Sequence, residues 1–454
     1  RDLIGEGATN AAIVPVLSEY SETKKKEEFW HLANVLLNAG LIVLAIVTLL
    51  GIVFAPFIVR LIAPGFIADP EKLRVTIDLT RVMFPYILLV GLLAYCMGIL
   101  NSLRHFKAPA FAPAILNLSI ITCALLRKGS VSALATGVLI GGVIQLLVQL
   151  PVLFSKGFRF NFSSGIYHVA VKKIGILLLP RILGSCVYQI NIFVSTMLAS
   201  FSHIVGSGGV AALYYASRIF QFPLAIFGIA IAQAALPTMS RQALQSGLEK
   251  FKETLSFSLR AVNFIMLPAS LGLIVLAGPI TRTLFERGAF GKYSTFITSN
   301  ALIFYSIGLF SYAGIKILVS CFYSLKDTLS PVKVASVSLI LNIVLNIIFM
   351  FPLKVGGLAL ATSLSGSFNF LILFILLRKK IGAIGGYAIL KSFFRVLLAS
   401  LAMALIIYFC AFKMGLNLFI VILIGILSYI AAAFIFNVKE ARAFLRGAYT
   451  RDEH

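Results

Sequence analysis

Long apolar runs constrain this chain more than any other feature of its sequence. The stretches LANVLLNAGLIVLAIVTLLGIVFAPFIV (32–59) and LNLFIVILIGILSYIAAAFIFNV (416–438) are almost free of charge. Each exceeds the roughly 18 to 20 apolar residues that a helix needs to cross a bilayer. Transmembrane β-strands would instead alternate polar and apolar residues over about ten positions. The runs therefore predict an all-α, polytopic membrane protein.

Thirteen membrane spans are predicted along the 454 residues, of which 60% are hydrophobic and 12% charged. Soluble domains carry about 25% charged residues. The chain begins with arginine and opens inside a span, so we expect at least one further helix upstream. The predicted spans are 3–20, 31–60, 76–103, 109–126, 131–154, 174–201, 208–238, 254–280, 296–324, 332–352, 355–377, 393–412 and 415–437.

The formal net charge of +23 is explained by membrane topology rather than by nucleic-acid binding. Basic residues concentrate in the connections after alternate spans, and the positive-inside rule assigns that side, with the C-terminus, to the cytoplasm. The excess also suits anionic headgroups, so membrane lipids are expected partners. The basic residues assigned to this side are Lys24, Lys25, Lys26, Arg104, Lys107, Lys156, Arg159, Lys172, Lys173, Arg241, Lys250, Lys252, Lys326, Lys333, Arg378, Lys379, Lys380, Lys391, Arg395, Lys439, Arg442, Arg446 and Arg451.

Two halves of the chain repeat at a constant offset. Pro15 and Ser18 recur 222 positions later as Pro237 and Ser240. The stretch NSLRHFKAP (101–109) resembles YSLKDTLSP (323–331) at the same offset. Six predicted spans separate the copies, and an even number preserves direction. The halves are therefore predicted to be parallel repeats about an axis along the membrane normal.

The repeat suggests a division into four segments. The stretch SKGFRFNFSSGIYHVAVKK (155–173) mixes basic and aromatic residues, as expected of an amphipathic segment on the cytoplasmic face. The predicted domains are an N-terminal lobe over 1–155, a cytoplasmic linker over 156–173, a C-terminal lobe over 174–380, and two extra helices with a basic tail over 381–454.

Charges inside the predicted spans carry the functional argument: they include Arg1, Glu6, Arg181, Arg218 and Lys316. A mid-membrane arginine costs about 2.5–3.5 kcal/mol even on insertion scales, so it should face the protein interior. Arg181 can snorkel to the cytoplasmic surface, and Lys316 either lines a cavity or makes a structural contact. Arg218 is too central to snorkel easily. It either pairs with Glu6 or lines a water-filled cavity that receives an anion, and its planar fork suits phosphate.

Two asparagines also leave alternatives open. Asn342 and Asn346 lie one helical turn apart, where they either bond helices together or supply carbonyl ligands to a monovalent cation. The five cysteines and five histidines are dispersed, so no metal site is predicted. The sequence contains no GxxxxGK[ST], HExxH or GxSxG motif. The pattern favours transport over catalysis and predicts no cofactor.

Four stretches resemble the MurJ (MviN) lipid II flippases of the MOP exporter superfamily: RDLIGEGATNAAIVPVLSEY (1–20), RVMFPYILLVGLLAYCMGILNSLRHFKAPAFAPAILNL (81–118), LYYASRIFQFPLAIFGIAIAQAALPTMS (213–240) and FYSLKDTLSPVKVASVSLILNIVLN (322–346). The resemblance implies fourteen helices, thirteen of them in this chain. They would form two six-helix lobes of the MATE-like type, plus two helices that make a lipid-tail groove. It also implies movement of the undecaprenyl-pyrophosphate-linked peptidoglycan precursor, lipid II, from the cytoplasmic to the outer leaflet of the bacterial cytoplasmic membrane. Cell-wall synthesis proteins are further expected partners, and nucleic acid is not.

The resemblance assigns a substrate role to several residues. Arg1 matches the arginine before the family's EGA stretch, Glu6 matches the acid of that stretch, and Arg218 matches the arginine of the YYADR motif. With Lys316, these residues form the predicted substrate-binding set. The acid of YYADR is replaced by Ser217, and an acid often found shortly after the arginine is replaced by Gln221. The cavity around Arg218 should therefore be more positive than usual.

A sodium site is implied for some members of the family. The matching positions here are Ser195, Asn342, Asn346 and Thr362. Ser195 stands where those members have an aspartate, so the site lacks its formal negative charge. The sequence therefore predicts little sodium dependence and, at most, weak coupling to a monovalent cation.

The sequence also leaves other functions open. One alternative is another polysaccharide-lipid flippase of the MOP superfamily, and a second is a non-transporting scaffold for cell-wall enzymes. A drug exporter for cationic compounds should present acids in its cavity. The arginines argue against that class.

Overall fold

The computed structural model describes residues 9–161, 186–244 and 248–445. Every regular element within these ranges is helical. The helices before the first gap are α1 Thr9–Thr23, α2 Lys26–Ile62, α3 Pro70–Met83, α4 Pro85–Ser102, α5 Lys107–Leu126 and α6 Val131–Ser155.

The helices after the first gap begin with α7. They are α7 Cys186–Ala199, α8 Ser202–Val205, α9 Gly209–Pro223, α10 Ala230–Gln242, α11 Glu249–Val275, α12 Ala277–Phe285, α13 Lys292–Ile307, α14 Leu309–Ser324, α15 Leu329–Ile381, α16 Gly386–Tyr408, α17 Leu418–Ile435 and α18 Lys439–Leu445. The all-α, multi-pass architecture predicted from the apolar runs is confirmed.

The described helices account for the predicted spans. By length and composition, nine of them could cross a membrane, or ten if the pair α13–α14, bent by 44°, forms one span. The longest, α15, has 53 residues and consists of two helices that meet at Lys354. The described part of α7 is shorter than a bilayer crossing, as is α1 with 15 residues. Each predicted span nevertheless overlaps a described helix.

The chain divides into two compact units, residues 1–190 and residues 191–454. In the first unit, apolar side chains of α1, α2 and α4 pack around Leu17, Leu32 and Leu100, none of which is exposed. In the second unit, the core joins α9 to α15 and includes Phe251 and Phe322. The predicted linker over 156–173 falls mostly outside the described residues, and its boundaries stay a prediction.

The sequence repeat reappears in the helix boundaries. In the first unit, α3 begins at Pro70 and α5 at Lys107; 222 positions later, α13 begins at Lys292 and α15 at Leu329. Two helix starts are thus duplicated at the same offset as the sequence motifs. This agreement confirms the internal repeat that the constant offset of 222 residues predicted.

The turn after α4 and the turn after α14 have the same backbone geometry. Arg104 and Lys326, which are 222 positions apart, have φ angles of 56° and 59°. The amide of Arg104 donates to the Asn101 carbonyl at 3.0 Å, and the amide of Lys326 donates to that of Tyr323 at 3.0 Å. A left-handed residue here ends each helix by bonding its last carbonyls.

An ion pair fixes the second of these turns. Lys380 Nζ donates to Asp327 Oδ2 at 2.6 Å, and the Ser330 amide donates to Asp327 Oδ1 at 3.0 Å. The Lys380 ammonium, followed by the Ser330 amide, lowers the pKa of the Asp327 carboxyl to about 2. Because the folded pKa is depressed, this stabilisation is present above the unfolded value and is lost as the pH falls through about 2.

The junction between the two helices of α15 is strained. Lys354 has φ 53° and ψ −130°, a conformation that is essentially restricted to glycine. We expect Lys354→Gly to stabilise the protein by about 1 kcal/mol, because glycine adopts this conformation without steric cost. Thermal unfolding of the purified protein in detergent measures the effect. Lys354→Ala keeps the Cβ and is the matched control; an equal rise in both variants would contradict the strain.

Candidate functional site

The helix that carries Arg218 is long and interrupted. It runs from Gly209 through α9, continues through a π-helical segment, Leu224–Ile229, and ends with α10. Pro223, directly before that segment, has no backbone N–H and so interrupts the regular hydrogen bonds of the helix. Such π-helical interruptions are frequent at functional sites. Arg218 lies nine residues after Gly209, or about 14 Å along the helix, at a rise of about 1.5 Å per residue. The guanidinium is thus nearer the Gly209 end than the Gln242 end.

Arg218 is exposed and stacks on an aromatic ring. Its Cζ atom lies 4.9 Å from the ring centroid of Tyr214, one turn earlier on α9. Among the described residues, no carboxylate lies within ion-pair distance of Arg218. Ser217, at the position where the resemblance predicts an acid, donates its hydroxyl to the Tyr214 carbonyl at 2.8 Å. The guanidinium therefore contacts a ring rather than a described carboxylate, and its charge is available for an anion.

Lys316 lies at a different level of the second unit. It is exposed on α14, eight residues before Ser324, or about 12 Å from that end of the helix. Its backbone carbonyl accepts a hydrogen bond from the Ser320 hydroxyl at 3.0 Å. In the second unit, α9 packs on α13 and α10 packs on α14. Arg218, on α9, therefore lies toward one end of these four helices, and Lys316, on α14, lies toward the other end.

Three of the charges singled out in the sequence cannot be described structurally. Arg1, Glu6 and Arg181 lie outside the described residues. The substrate roles of Arg1 and Glu6, the alternative pairing of Glu6 with Arg218, and the snorkelling of Arg181 stay predictions.

The asparagine pair forms a buried amide network within α15. Asn346 Nδ2 donates to Asn342 Oδ1 at 2.7 Å, and Asn342 Nδ2 donates to Ser365 Oγ at 3.1 Å. Ser365 in turn donates to the Thr362 carbonyl at 2.9 Å. Since Lys354 separates Asn342 from Ser365, the bond between these two side chains joins the halves of α15. This is the helix-bonding role that the sequence left open beside cation binding.

Two oxygen atoms of the residues predicted to bind sodium have no hydrogen-bond partner in the described structure. They are Asn346 Oδ1 and Ser195 Oγ, and both are buried atoms. Neutral oxygens suit a hard monovalent cation, yet no carboxylate belongs to the set. The described residues also contain no group of three or more His, Cys, Asp or Glu side chains that could hold a metal ion. The residues present therefore fit at most a weak cation site.

Sequence reasoning passed over one buried ion pair. Arg260 Nη1 donates to Glu440 Oε1 at 2.8 Å, with side chains that are only 22% and 6% exposed. Arg260 lies on α11 and inside the predicted span 254–280, so a charge in an apolar run was the available signal. The pair ties α18 to α11, one turn from the bond that Tyr429 Oη donates to the Phe264 carbonyl at 2.6 Å.

Comparison of the helical architecture with solved structures defines the class. It matches an inward-facing multidrug resistance MATE family transporter of the MOP superfamily with a TM-score of 0.72, over 84% of this chain and 87% of that chain. At 16% identity this likeness shows the fold alone. The structure of a lipid II flippase MurJ in an inward closed conformation matches with a TM-score of 0.82 and 28% identity, over 96% of this chain and 89% of that one. The protein has the fold of a MOP-superfamily membrane transporter.

The sequence relatives narrow the class to a family. The family model described as lipid II flippase MurJ matches residues 1–429. The probable lipid II flippase MurJ of Vibrio cholerae is 35% identical over 388 residues, which cover 82% of this chain and 73% of the relative. The lipid II flippase MurJ of Burkholderia cenocepacia is 32% identical, over 90% of this chain and 81% of its own length. The chain belongs to the lipid II flippase MurJ family, which confirms the resemblance seen in the sequence.

Proposed function

We propose that this protein moves lipid II from the cytoplasmic to the outer leaflet by alternating access, and that Arg218 engages the lipid's diphosphate. The observation that supports this most directly is the guanidinium itself. It is exposed on a helix long and apolar enough to span a membrane, and no described carboxylate neutralises it. An arginine fork binds phosphate through two parallel N–H···O bonds and stays protonated.

The physical problem is the headgroup. A diphosphate and two sugars cannot enter hydrocarbon unaided, because transfer of unpaired charged groups out of water is prohibitive. A cationic, hydrated path lowers that barrier while the polyprenyl tail stays in lipid. The inward-negative membrane potential favours outward movement of the anion by about 2.3 kcal/mol per charge for each 100 mV crossed. The protein needs no covalent chemistry for this task, and we propose that it has none.

The orientation follows from the basic connections. We propose that the protein lies in the bacterial cytoplasmic membrane with its C-terminus in the cytoplasm, as the positive-inside rule indicates. The Gly209 end of α9 then faces outward and the Ser324 end of α14 faces the cytoplasm. In this orientation Lys316 meets the diphosphate near the cytoplasmic side, and Arg218 holds it nearer the outer side. Arg1 and Glu6 complete the proposed substrate-binding set.

Complementation tests the proposal in cells. The full-length protein, with its C-terminal region intact, is expressed in a bacterium from which its own lipid II flippase can be depleted. We expect growth and rod or coccal shape to be restored by the wild-type protein. Equal expression without rescue, in a strain where a known flippase does rescue, would contradict the proposed function.

Sodium dependence should be small. The set Ser195, Asn342, Asn346 and Thr362 offers neutral oxygens, and the amide groups of both asparagines already take part in a network. We expect the initial rate of lipid II flipping in proteoliposomes to change by less than about twofold when sodium replaces potassium. Ser195→Asp is the matched variant, because it restores the missing charge and should introduce sodium stimulation. A saturable sodium requirement in the wild-type protein would contradict the prediction.

A further inference from the structure

The outer end of the second unit carries a cluster of aromatic rings next to Arg218. The ring centroid of Tyr215 lies 4.7 Å from that of Phe285 and 5.6 Å from that of Phe290. The centroids of Phe285 and Phe290 are 5.7 Å apart. Tyr214 joins the cluster through Tyr215, with ring centroids 5.7 Å apart in an edge-to-face arrangement. These four residues are called the aromatic cluster below.

One member of the aromatic cluster differs from the other three. Tyr215, Phe285 and Phe290 are partly buried against one another, whereas the Tyr214 side chain is 54% exposed. Three packed rings thus support a fourth ring that is open to its surroundings. The Tyr214 ring is also the one on which the Arg218 guanidinium stacks.

We infer that Tyr214 is a stacking platform for the sugar that is joined to the diphosphate. This inference rests on the proposed function of Arg218. A pyranose has one face made of C–H bonds, and that face packs on an aromatic ring, which is a large apolar surface with electron density on its faces. The first sugar of lipid II is bonded directly to the diphosphate. A diphosphate held by Arg218 therefore delivers this sugar to within reach of the Tyr214 ring.

The direction along α9 supports the same assignment. Tyr214 lies four residues, or about 6 Å, closer to the outer end of the helix than Arg218. The sugar would lead and the diphosphate would follow as the headgroup moves outward. The Arg218 guanidinium on the Tyr214 ring is compatible with sugar stacking, because the guanidinium and the pyranose can contact different parts of one aromatic side chain.

Binding of two lipids, one with the sugars and one without them, distinguishes sugar stacking on Tyr214 from recognition of the diphosphate charge by Arg218. The dissociation constants of undecaprenyl diphosphate, and of the same lipid carrying its disaccharide-pentapeptide, are measured for the full-length protein by native mass spectrometry. We expect Tyr214→Leu to weaken binding of the glycosylated lipid about tenfold and to leave binding of undecaprenyl diphosphate within about twofold. Tyr214→Phe retains the ring and should bind both lipids like the wild type.

Tyr293 supplies the matched control. It is equally exposed, at 54%, and lies at the same end of the unit on α13. No cation of the described residues lies over its ring, and Tyr293 is not a member of the aromatic cluster. Tyr293→Leu should leave both dissociation constants unchanged. Tyr214→Leu overturns the inference if it weakens both lipids equally, if it weakens neither, or if Tyr293→Leu has the same effect.

The outcome for Arg218→Ala keeps the two proposals apart. If this variant loses affinity for both lipids while Tyr214→Leu loses none, Arg218 recognises the diphosphate and the stacking platform is wrong. If Arg218→Ala binds both lipids like the wild type, the proposed function of Arg218 is wrong. Because Tyr214 is largely exposed, its substitution should not impair folding. Tyr214→Ala, which removes the ring by a different route, must reproduce the loss seen for Tyr214→Leu.

Discussion

Arg218→Ala should reduce the rate of lipid II flipping in proteoliposomes by at least about 30-fold. The substitution removes the two-pronged donor for a phosphate that has left bulk water, and truncating one partner of a desolvated charge pair costs about 2–5 kcal/mol. Arg218→Lys should recover part of the rate, because lysine keeps the charge but lacks the planar fork. The measurement is the appearance of labelled headgroup at the outer face.

A second arginine provides the control for this loss. Arg282 is 72% exposed, lies in the same unit, and pairs with Glu286 at 3.6 Å. Arg282→Ala removes the same charge without touching the proposed site, and it should flip lipid II within about twofold of the wild-type rate. If Arg218→Ala and Arg282→Ala flip equally well, net positive charge, rather than the position of Arg218, is what matters.

The second large effect concerns stability. Glu440→Ala should destabilise the protein by about 3 kcal/mol. The Arg260 side chain is only 22% exposed, and the substitution removes the carboxylate that pairs with its guanidinium. Replacing both residues, as Arg260→Met with Glu440→Leu, should restore most of the loss, since no unpaired charge then remains. The midpoint of thermal unfolding in detergent reports the difference.

The ion pair at the α14–α15 turn is more exposed than the Arg260–Glu440 pair and is the comparison for this prediction. Asp327→Asn breaks the ion pair with Lys380, whose side chain is 42% exposed, and should cost no more than about 1 kcal/mol. A loss in Glu440→Ala no larger than that in Asp327→Asn would contradict the structural role of the buried pair. So would a double variant that is less stable than Glu440→Ala alone.

The fold was predictable because its determinants are local and repeated. Apolar runs define helices, and the 222-residue offset carries even the left-handed residues Arg104 and Lys326 from one unit to the other. The kink at Lys354 was also implied by the break between two predicted spans. Its unusual backbone conformation was not, because a lysine gives no local signal for it.

The site was predictable only in part. Arg218 is recognisable as a charge in an apolar helix, and Tyr214, four residues earlier, lies on the same helical face. The packing of Phe285 and Phe290 behind that face joins segments about 70 residues apart and has no sequence signal. Arg260 carried the same signal as Arg218, a charge inside a predicted span, but its partner Glu440 lies 180 residues away and has no sequence signal. Tertiary contacts, and not helical spacing, decide which buried charge is neutralised.

Chemical labelling at position 218 tests the central claim most directly. The five native cysteines, Cys96, Cys123, Cys186, Cys321 and Cys410, are first replaced, and Arg218→Cys is introduced into that background. A negatively charged, membrane-impermeant thiol reagent reaches only groups that face water. The account predicts that this reagent modifies position 218 and that lipid II slows the modification. Reaction with lipid-soluble reagents alone, or labelling that lipid II leaves unchanged, would contradict it.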